Sequence, residues 1–395
     1  MLRIAGFFVV ALTIWGTGHW YLARRLIKPS DLRGWPRRLA WAYLAASFVL
    51  PIAAMSTARL GNSLPGYTLL QWAGWIVMGL SSVLFMFTVA ADLGRVFARG
   101  VQRFMSAPEP GDVLDPSRRR FFGRIANAGV VGTAALTSGV ATAKAQYTAE
   151  IVEVDVEIEG LPPELDGFRI VQLTDIHIGP TLRGKDLRAM VERANTLDAD
   201  IVAVTGDLID GFVDDLREDI APLGELRGKH GTYFVTGNHE YYWGAKAWCD
   251  EVERLGLVVL NNEHRMIDID GAQILLAGVT DYQAGDHDRQ HASDPAGARE
   301  GAPEHDISIL LAHQPRSIYA ASEAGYDLQI SGHTHGGQYF PMNLLVHLVQ
   351  PYVAGLHTHG PTRIYVSRGT GYWGPPMRLG APHEITLLRL VPSRA

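Results

Sequence analysis

The stretch Ile201-Val202-Ala203-Val204-Thr205-Gly206-Asp207 decides how the rest of the chain is read. Four apolar residues in a row, three of them β-branched, predict a strand buried on both faces, as in the middle of a parallel sheet. The Gly-Asp that closes it puts a carboxylate at a strand exit. Asp207 is thus the candidate for a carboxylate shared between two metal ions. Four other predicted strands end in donors of similar kind. Asp175 and His177 follow residues 169–173, and Asn238 and His239 follow 232–235. His313 follows 307–311, and His333 and His335 follow 327–330. Loops at strand ends converge above a rigid sheet, which would give these scattered side chains one job.

The surrounding pattern is strand, loop, helix. Residues 185–197 carry Leu187, Met190, Val191, Ala194 and Leu197 at helical spacing. Residues 214–226 and 243–255 read as further helices, and 151–158 and 258–260 as strands. Helices then thin out. Residues 264–269 and 273–277 form a hairpin turning at Asp270-Gly271, and 362–366 and 384–390 are late strands. This order predicts an α/β domain in which a sheet with helices packs on a second sheet. Residues 283–305 are polar and read as a lid or a disordered loop.

The formal charge of −6 hides a division. Residues 1–145 hold 16 Lys/Arg and 5 Asp/Glu; residues 146–395 hold 19 and 36. So acidic a second part lacks the basic footprint of a nucleic-acid binder, and no nucleic-acid partner is expected. One cysteine, Cys249, excludes an intrachain disulfide framework or a cysteine-rich zinc knot.

Residues 1–145 are expected to be a transmembrane region of three or four helices. The apolar runs 4–22, 39–55 and 69–91 approach the roughly 20 residues that cross a bilayer as a helix. Tryptophans 15, 20, 35, 41, 72 and 75 cluster near their ends, as at a membrane interface. Arg24, Arg25, Lys28, Arg33, Arg37 and Arg38 follow the first run, and six arginines between 95 and 120 follow the third. The loop between the second and third runs holds only Arg59. The positive-inside rule then puts the first and third loops in the cytoplasm and residues 146–395 outside it. Ser117-Arg118-Arg119-Arg120-Phe121-Phe122, with the Gly/Ala/Thr-rich run after it, resembles a twin-arginine export signal. It reads equally as the basic flank of a fourth span. Almost no ionisable residue lies inside the runs, apart from His19 near one end, so no transport path is visible.

Each donor pair is common by itself; the ordered set is not. The five blocks, including Gly237-Asn238-His239-Glu240 and Gly332-His333-Thr334-His335, resemble the calcineurin-like metallophosphoesterases across residues 168–390. The resemblance implies a four-layer sandwich of two mixed sheets flanked by helices over residues 151–395. It implies that Asp175, His177 and His335 hold one divalent metal ion, that Asn238, His313 and His333 hold a second, and that Asp207 bridges them. It gives His239 a catalytic role, hydrogen-bonding the phosphoryl group and protonating the leaving oxygen. Asp210 either orients His239 or lies in a solvated turn. Carboxylate, imidazole and amide donors suit manganese first, with iron or zinc as alternatives. Two cations acidify a water and clamp the oxygens of an in-line displacement.

Gly336-Gly337-Gln338 extends the last block, similar to a membrane-associated bacterial branch of phosphodiesterases and hydrolases of UDP-diacylglucosamine. The apolar residues 339–353 that follow read as a surface for bilayer or acyl chain, or as a buried helix. A membrane-anchored phosphodiesterase is expected, phospholipid and lipid-linked esters being its substrate class. UDP-linked lipid precursors are made on the cytoplasmic side, which counts against that particular substrate. The alternative is a non-catalytic metal-binding or sensor domain on the same fold, in which His239 would have no use.

Overall fold

The computed structural model describes residues 2–105, 116–340 and 342–393. By its contacts the chain divides into two units, Met1–Ala58 with Gly66–Thr142, and Arg59–Pro65 with Ala143–Ala395.

The first unit is helical: α1 (Leu2–Leu22), α2 (Trp35–Thr57), α3 (Tyr67–Met105) and α4 (Pro116–Lys144). Helix α4 runs unbroken through the arginine motif and the Gly/Ala/Thr-rich run. Among the described residues, three segments, Trp35–Gly61, Tyr67–Gln102 and Arg120–Lys144, are long and apolar enough to cross a membrane. Only 22%, 28% and 17% of them is buried within the chain. Their apolar side chains therefore point outward, the reverse of a helix that packs in water. Small residues bring α2 and α3 together: a Cβ on Gly74 would lie 2.7 Å from Ala54 Cβ. Asp92 on α3 ties α1 to α3 by accepting from Tyr21 Oη at 2.7 Å and from Arg25 Nε at 2.6 Å, just past the end of α1.

The second unit carries β1 (Glu150–Ile158), β2 (Arg169–Leu173), β3 (Ile201–Thr205), β4 (Thr232–Val235), β5 (Val258–Val259), β6 (Glu263–Ile269), β7 (Ala272–Gly278), β8 (Ile307–Leu311), β9 (Leu328–Ser331), β10 (Gly355–His359), β11 (Thr362–Val366) and β12 (Glu384–Pro392). One sheet has the order β1-β12-β2-β3-β4-β5, the other β10-β11-β9-β8-β7-β6. Both are mixed: β2 to β5 are parallel while β12 runs against β2, and β7, β8, β9 and β11 are parallel between antiparallel edges. Strand β3 shows why its sequence is apolar throughout. Ile201 and Ala203 enter the core between the sheets, beside Ile274, Ile309 and Ile330. Val202 and Val204 enter a second core with Leu187, Val191, Leu216, Trp248 and Val252. Those residues belong to α5 (Gly184–Asn195), α6 (Val213–Ile220) and, beyond α7 (Asn238–Trp243), α8 (Ala245–Arg254). A third cluster packs Leu275, Ala277 and Leu310 beneath Ala298, Ala321 and Tyr326. The result is two mixed sheets flanked by helices, the expected sandwich.

Several boundaries differ from the sequence reading. Pro222 cannot donate to a continuing α-helix, so α6 stops at Ile220 and a 3₁₀ turn covers Ala221–Glu225. Gly244, at φ +98°, separates α7 from α8, so Asn238 and His239 open a short helix of their own. Strand β10, at a sheet edge, was not visible in Leu356-His357-Thr358-His359, which lacks a clear alternation. Residues 283–305 are ordered rather than loose. They include α9 (Ala284–His287), Ala284 and Ala298 are fully buried, and Tyr326 Oη donates to Pro295 O at 2.9 Å. Two short helices complete the set, α10 (Ile318–Glu323) and α11 (Met342–Leu345).

Candidate metal centre

The exits of β2, β3, β4, β8 and β9 converge on one small volume, and close backbone approach makes this possible. A Cβ on Gly206, whose φ is +85°, would sit 2.5 Å from Gly237 N and 2.9 Å from His313 Nδ1. A Cβ on Gly237 would sit 2.2 Å from Asp207 Oδ1. Only glycine lets β3 and β4 deliver Asp207 and Asn238 side by side. Beyond the glycines, Asp175, His177, Asp207, His333 and His335 all have left-handed backbones, with φ between 51° and 72°. Such residues are strained by roughly 1–3 kcal/mol each, and strain of this kind gathers where side chains must be aimed.

Two triads result. Asp175, His177 and His335 bring one donor atom each within 4.8 Å of one another, and so do Asp207, His313 and His333. In the first, His177 Nε2 is 3.1 Å from His335 Nε2, which is 3.3 Å from Asp175 Oδ1. In the second, His313 Nε2 is 3.2 Å from both His333 Nδ1 and Asp207 Oδ2. Asp207 Oδ2 also lies 3.8 Å from His177 Nε2 and 3.9 Å from His239 Nε2, so it stands between the triads. A third cluster joins His177, His239 and Asp210.

The residues fit divalent cations. Asn238 Oδ1 is buried and, among the described residues, has no hydrogen-bond partner. An orphaned amide oxygen beside imidazoles and a carboxylate is what a hard or borderline cation satisfies. At His313 and His335 the ring nitrogen opposite the one that faces the centre is engaged. His313 Nδ1 lies 2.8 Å from Thr205 O, which fixes its proton there and turns the Nε2 lone pair inward. Asp210 Oδ1 lies 2.5 Å from His239 Nδ1 and accepts its proton, while Oδ2 faces His177 Nδ1 at 3.3 Å.

The main chain under the donors is itself held. Glu240 is fully buried; its Oε2 accepts from Gly237 N at 2.6 Å and Asp207 N at 3.0 Å, its Oε1 from Leu208 N at 2.8 Å. Asp175 accepts from His333 N and from Thr174 Oγ1 at 2.9 Å. Arg378, almost wholly buried, lies 3.0 Å from His335 Nδ1 and donates to His335 O, Arg368 O and Gly371 O.

The electrostatics follow from this crowding. Burial opposes the charge of Asp207, but His313, His239 and His177 outweigh it and hold the carboxyl well below its ordinary range. Burial pushes Asp175 up despite His313. Burial would lower His239, but Asp207 and Asp210 win and raise it to about 9. His313 is raised well above its usual value because Asp207 and Asp175 outweigh its burial. His335 goes the other way, lowered by burial and then by Arg378.

All eight side chains singled out in the sequence, His239 and the seven metal-ligand candidates, lie in this centre. Asp210 proves to be a half-buried acceptor for the His239 imidazole. Glu240 was inside a quoted block yet had no assigned task. Arg378 lies 43 residues past His335, arithmetic the sequence offers no reason to make, and only the return of residues 368–383 to the site reveals it. Trp373 and Tyr242, whose rings are centred 5.6 Å and 5.1 Å from that of His239, were equally unannounced.

Residues 168–337 match the family model described as calcineurin-like phosphoesterase. A Bos taurus protein called "Transmembrane protein with metallophosphoesterase domain" is 43% identical over 251 residues, 61% of this chain and 56% of that one. An "Uncharacterized metallophosphoesterase" of Helicobacter pylori is 42% identical, covering 62% of this chain and 64% of that one. Another from Aquifex aeolicus is 32% identical, covering 62% of this chain and 92% of the relative. The chain thus spans less than two thirds of the cattle and Helicobacter proteins, and the mixture of sources singles out no bacterial branch. The match to the family model and the near-complete coverage of the Aquifex relative agree with the fold and with the two triads: this chain belongs to the calcineurin-like phosphoesterase family.

Proposed function

We propose that this chain is a membrane-anchored two-metal phosphoesterase that cleaves phosphodiesters, lipid-linked ones included, with manganese as its metal. Its place is a bacterial cytoplasmic membrane, with the metal centre on the extracytoplasmic side. The observation that carries the reading is the position of Asp207 between two histidine–carboxylate triads, with the orphaned oxygen of Asn238 alongside. The basic loops around residues 24–38 and 95–120 support the orientation. The arginine motif in α4 supports delivery by twin-arginine export machinery and an ordinary fourth span alike.

Asp175, His177, His335 and Asp207 would hold one cation; Asp207, Asn238, His313 and His333 the other. When bound, such a pair supplies Lewis acidity to the phosphoryl oxygens and to the attacking water. The chain supplies the rest. Asp210 keeps a proton on His239 Nδ1 and turns Nε2 toward the centre. Raised to about 9, the ring holds a second proton on Nε2 near neutral pH and can pass it to the leaving oxygen. The rings of Tyr242 and Trp373 pack against the imidazole that carries it.

The test is full-length protein in detergent, stripped by chelator and reloaded with Mn²⁺, assayed on bis-p-nitrophenyl phosphate. Two metals per chain and metal-dependent turnover are expected. Asp207→Asn removes several kcal/mol of positioning and charge, so a loss on the order of 10³-fold or more should accompany weakened metal binding. His239→Ala should keep both metals and lose roughly 10²–10⁴-fold in rate. Two bound metals without hydrolysis of any phosphate ester would establish the non-catalytic alternative.

A further inference from the structure

We infer that Phe340 and the exposed apolar residues of 342–349, with Trp373, form a platform that rests on a phospholipid bilayer and brings the metal centre to its surface. The inference rests on the phosphoesterase reading for its purpose but on separate observations for its content.

The segment is neither a buried helix nor a loose loop. Leu344, Leu345, Leu348 and Val349 are 61%, 41%, 80% and 57% exposed, and Phe340 is 38% exposed. It is fastened beside the site. A Cβ on Gly337, two residues past His335, would lie 2.2 Å from Asn343 Cα in α11, so the helix sits directly on the last ligand block. Phe340 N donates to Leu379 O at 2.9 Å. Gln338 Nε2 donates to Trp373 O at 2.9 Å, and Trp373 N donates to Gln338 Oε1 at 3.0 Å. The 45%-exposed Trp373 in turn reaches the ring of His239. The apolar side chains and the mouth of the centre are thus one structural piece.

Charge identifies the occupant. No Asp, Glu, Lys or Arg occurs in residues 328–362, within a domain of 36 acidic and 19 basic residues. An anionic bilayer repels the acidic remainder of the domain and leaves this stretch as the part able to approach. The exposed aliphatic residues suit the acyl boundary and Trp373 the headgroup level, as at other interfacial surfaces. Among the described residues, the same chain has three segments long and apolar enough to cross a membrane, so a bilayer is a surface its first unit is built to meet.

The test uses full-length protein with Cys249→Ser, reconstituted in phosphatidylcholine–phosphatidylglycerol vesicles containing doxyl-labelled lipid. A bimane fluorophore is placed through Leu348→Cys and, separately, through Lys229→Cys, an exposed position at the opposite end of β4 from Asn238. The label at 348 should be quenched several-fold more than the label at 229. Equal quenching overturns the inference. Crosslinking of the 348 cysteine to a second chain in detergent without lipid also overturns it, because the face would then be a contact between copies. Hydrolysis of bis-p-nitrophenyl phosphate by the same proteins is read in parallel; its absence counts against the phosphoesterase reading and leaves the bilayer contact to the quenching result.

Discussion

In one half of the centre Asp175, His177 and His335 face one another; in the other, Asp207, His313 and His333 do, with Asn238 beside them. The donor types barely differ, yet what stands behind them does. The guanidinium of Arg378 lies against His335, whereas a main-chain carbonyl lies against His313 and the carboxylates of Asp207 and Asp175 face it. His335 is consequently pushed far below the ordinary histidine range and His313 far above it. Without metal, one half is neutral at its last ligand and the other carries a proton that a cation must displace. Two halves that look equivalent as a set of residues are thus prepared differently for metal.

The largest test of that difference is to empty one half at a time. Asp175→Asn should leave one Mn²⁺ per chain, held by the His313 half, and Asn238→Ala one held by the His335 half. Either should lower hydrolysis by roughly 10²-fold or more, since a single cation cannot serve both attacking and leaving oxygens. Metal counting after gel filtration reads the stoichiometry. Loss of both ions in Asp175→Asn would mean that the halves form one cooperative site.

These two variants also allow the halves to be titrated separately. In Asp175→Asn the remaining ion competes with the proton on His313. Its affinity should therefore climb with pH across the neutral range, by as much as about tenfold per unit. In Asn238→Ala the His335 half, whose last ligand is already neutral, should respond less. Parallel pH dependences measured by isothermal calorimetry would remove the distinction.

A smaller effect belongs to Asp210, which touches a ring from each side of Asp207. His239 acts as an acid only while protonated, so activity should fall as pH rises past its pKa of about 9. Asp210→Asn removes one of the two carboxylates that raise it. The alkaline limb of kcat/KM should move to lower pH, with a loss of roughly 10–100-fold in rate at neutral pH. An unmoved limb would take His239 out of the role of acid.

Much of this centre was legible because its chemistry sits in short blocks at strand exits. The apolar run ending in Asp207 marked a central strand, and Asp-x-His, Asn-His and His-x-His followed other strands at the same structural position. A helix-covered sheet packed on a second sheet followed from strand–helix alternation giving way to strands. What stayed hidden depends on long-range return of the chain. Arg378 and Trp373 reach the site from a segment with little regular structure of its own, and no local period points to them. The left-handed backbones at Asp175, His177, Asp207, His333 and His335 are only weakly marked in the sequence: Asp and His tolerate that conformation better than most residues, but tertiary packing selects these positions. That residues 339–353 follow the last ligand block is plain in the sequence; that their side chains stay exposed rather than forming a buried helix is not.

Glu240 is a quieter case, and it shows how such strained exits are kept. One carboxylate accepts three buried backbone N–H groups, those of Asp207, Leu208 and Gly237. Burial, and then the charge of Asp207, raise it to about 6 from 4.5. A carboxyl raised in the folded state binds protons more readily there than in the unfolded chain. Its contribution to stability is therefore full below pH 4.5 and is lost as pH rises through 6, a change of about 2 kcal/mol. Gln in its place has no charge to bury, so that decline should vanish. It also offers one acceptor oxygen where two served three donors, and its NH₂ would face a backbone N–H. Leaving a buried donor unmet costs about 1–3 kcal/mol. At neutral pH the two effects oppose, and the unmet donor should prevail slightly, because the charge of Glu240 also strengthens the bonds it makes. Metal-free Glu240→Gln should accordingly melt a few degrees below the parent at pH 7 and further below it at pH 4.5. Melting curves that stay parallel across that range would show that the turn at Asp207 is held by its glycines alone, and that the carboxylate beneath it is incidental.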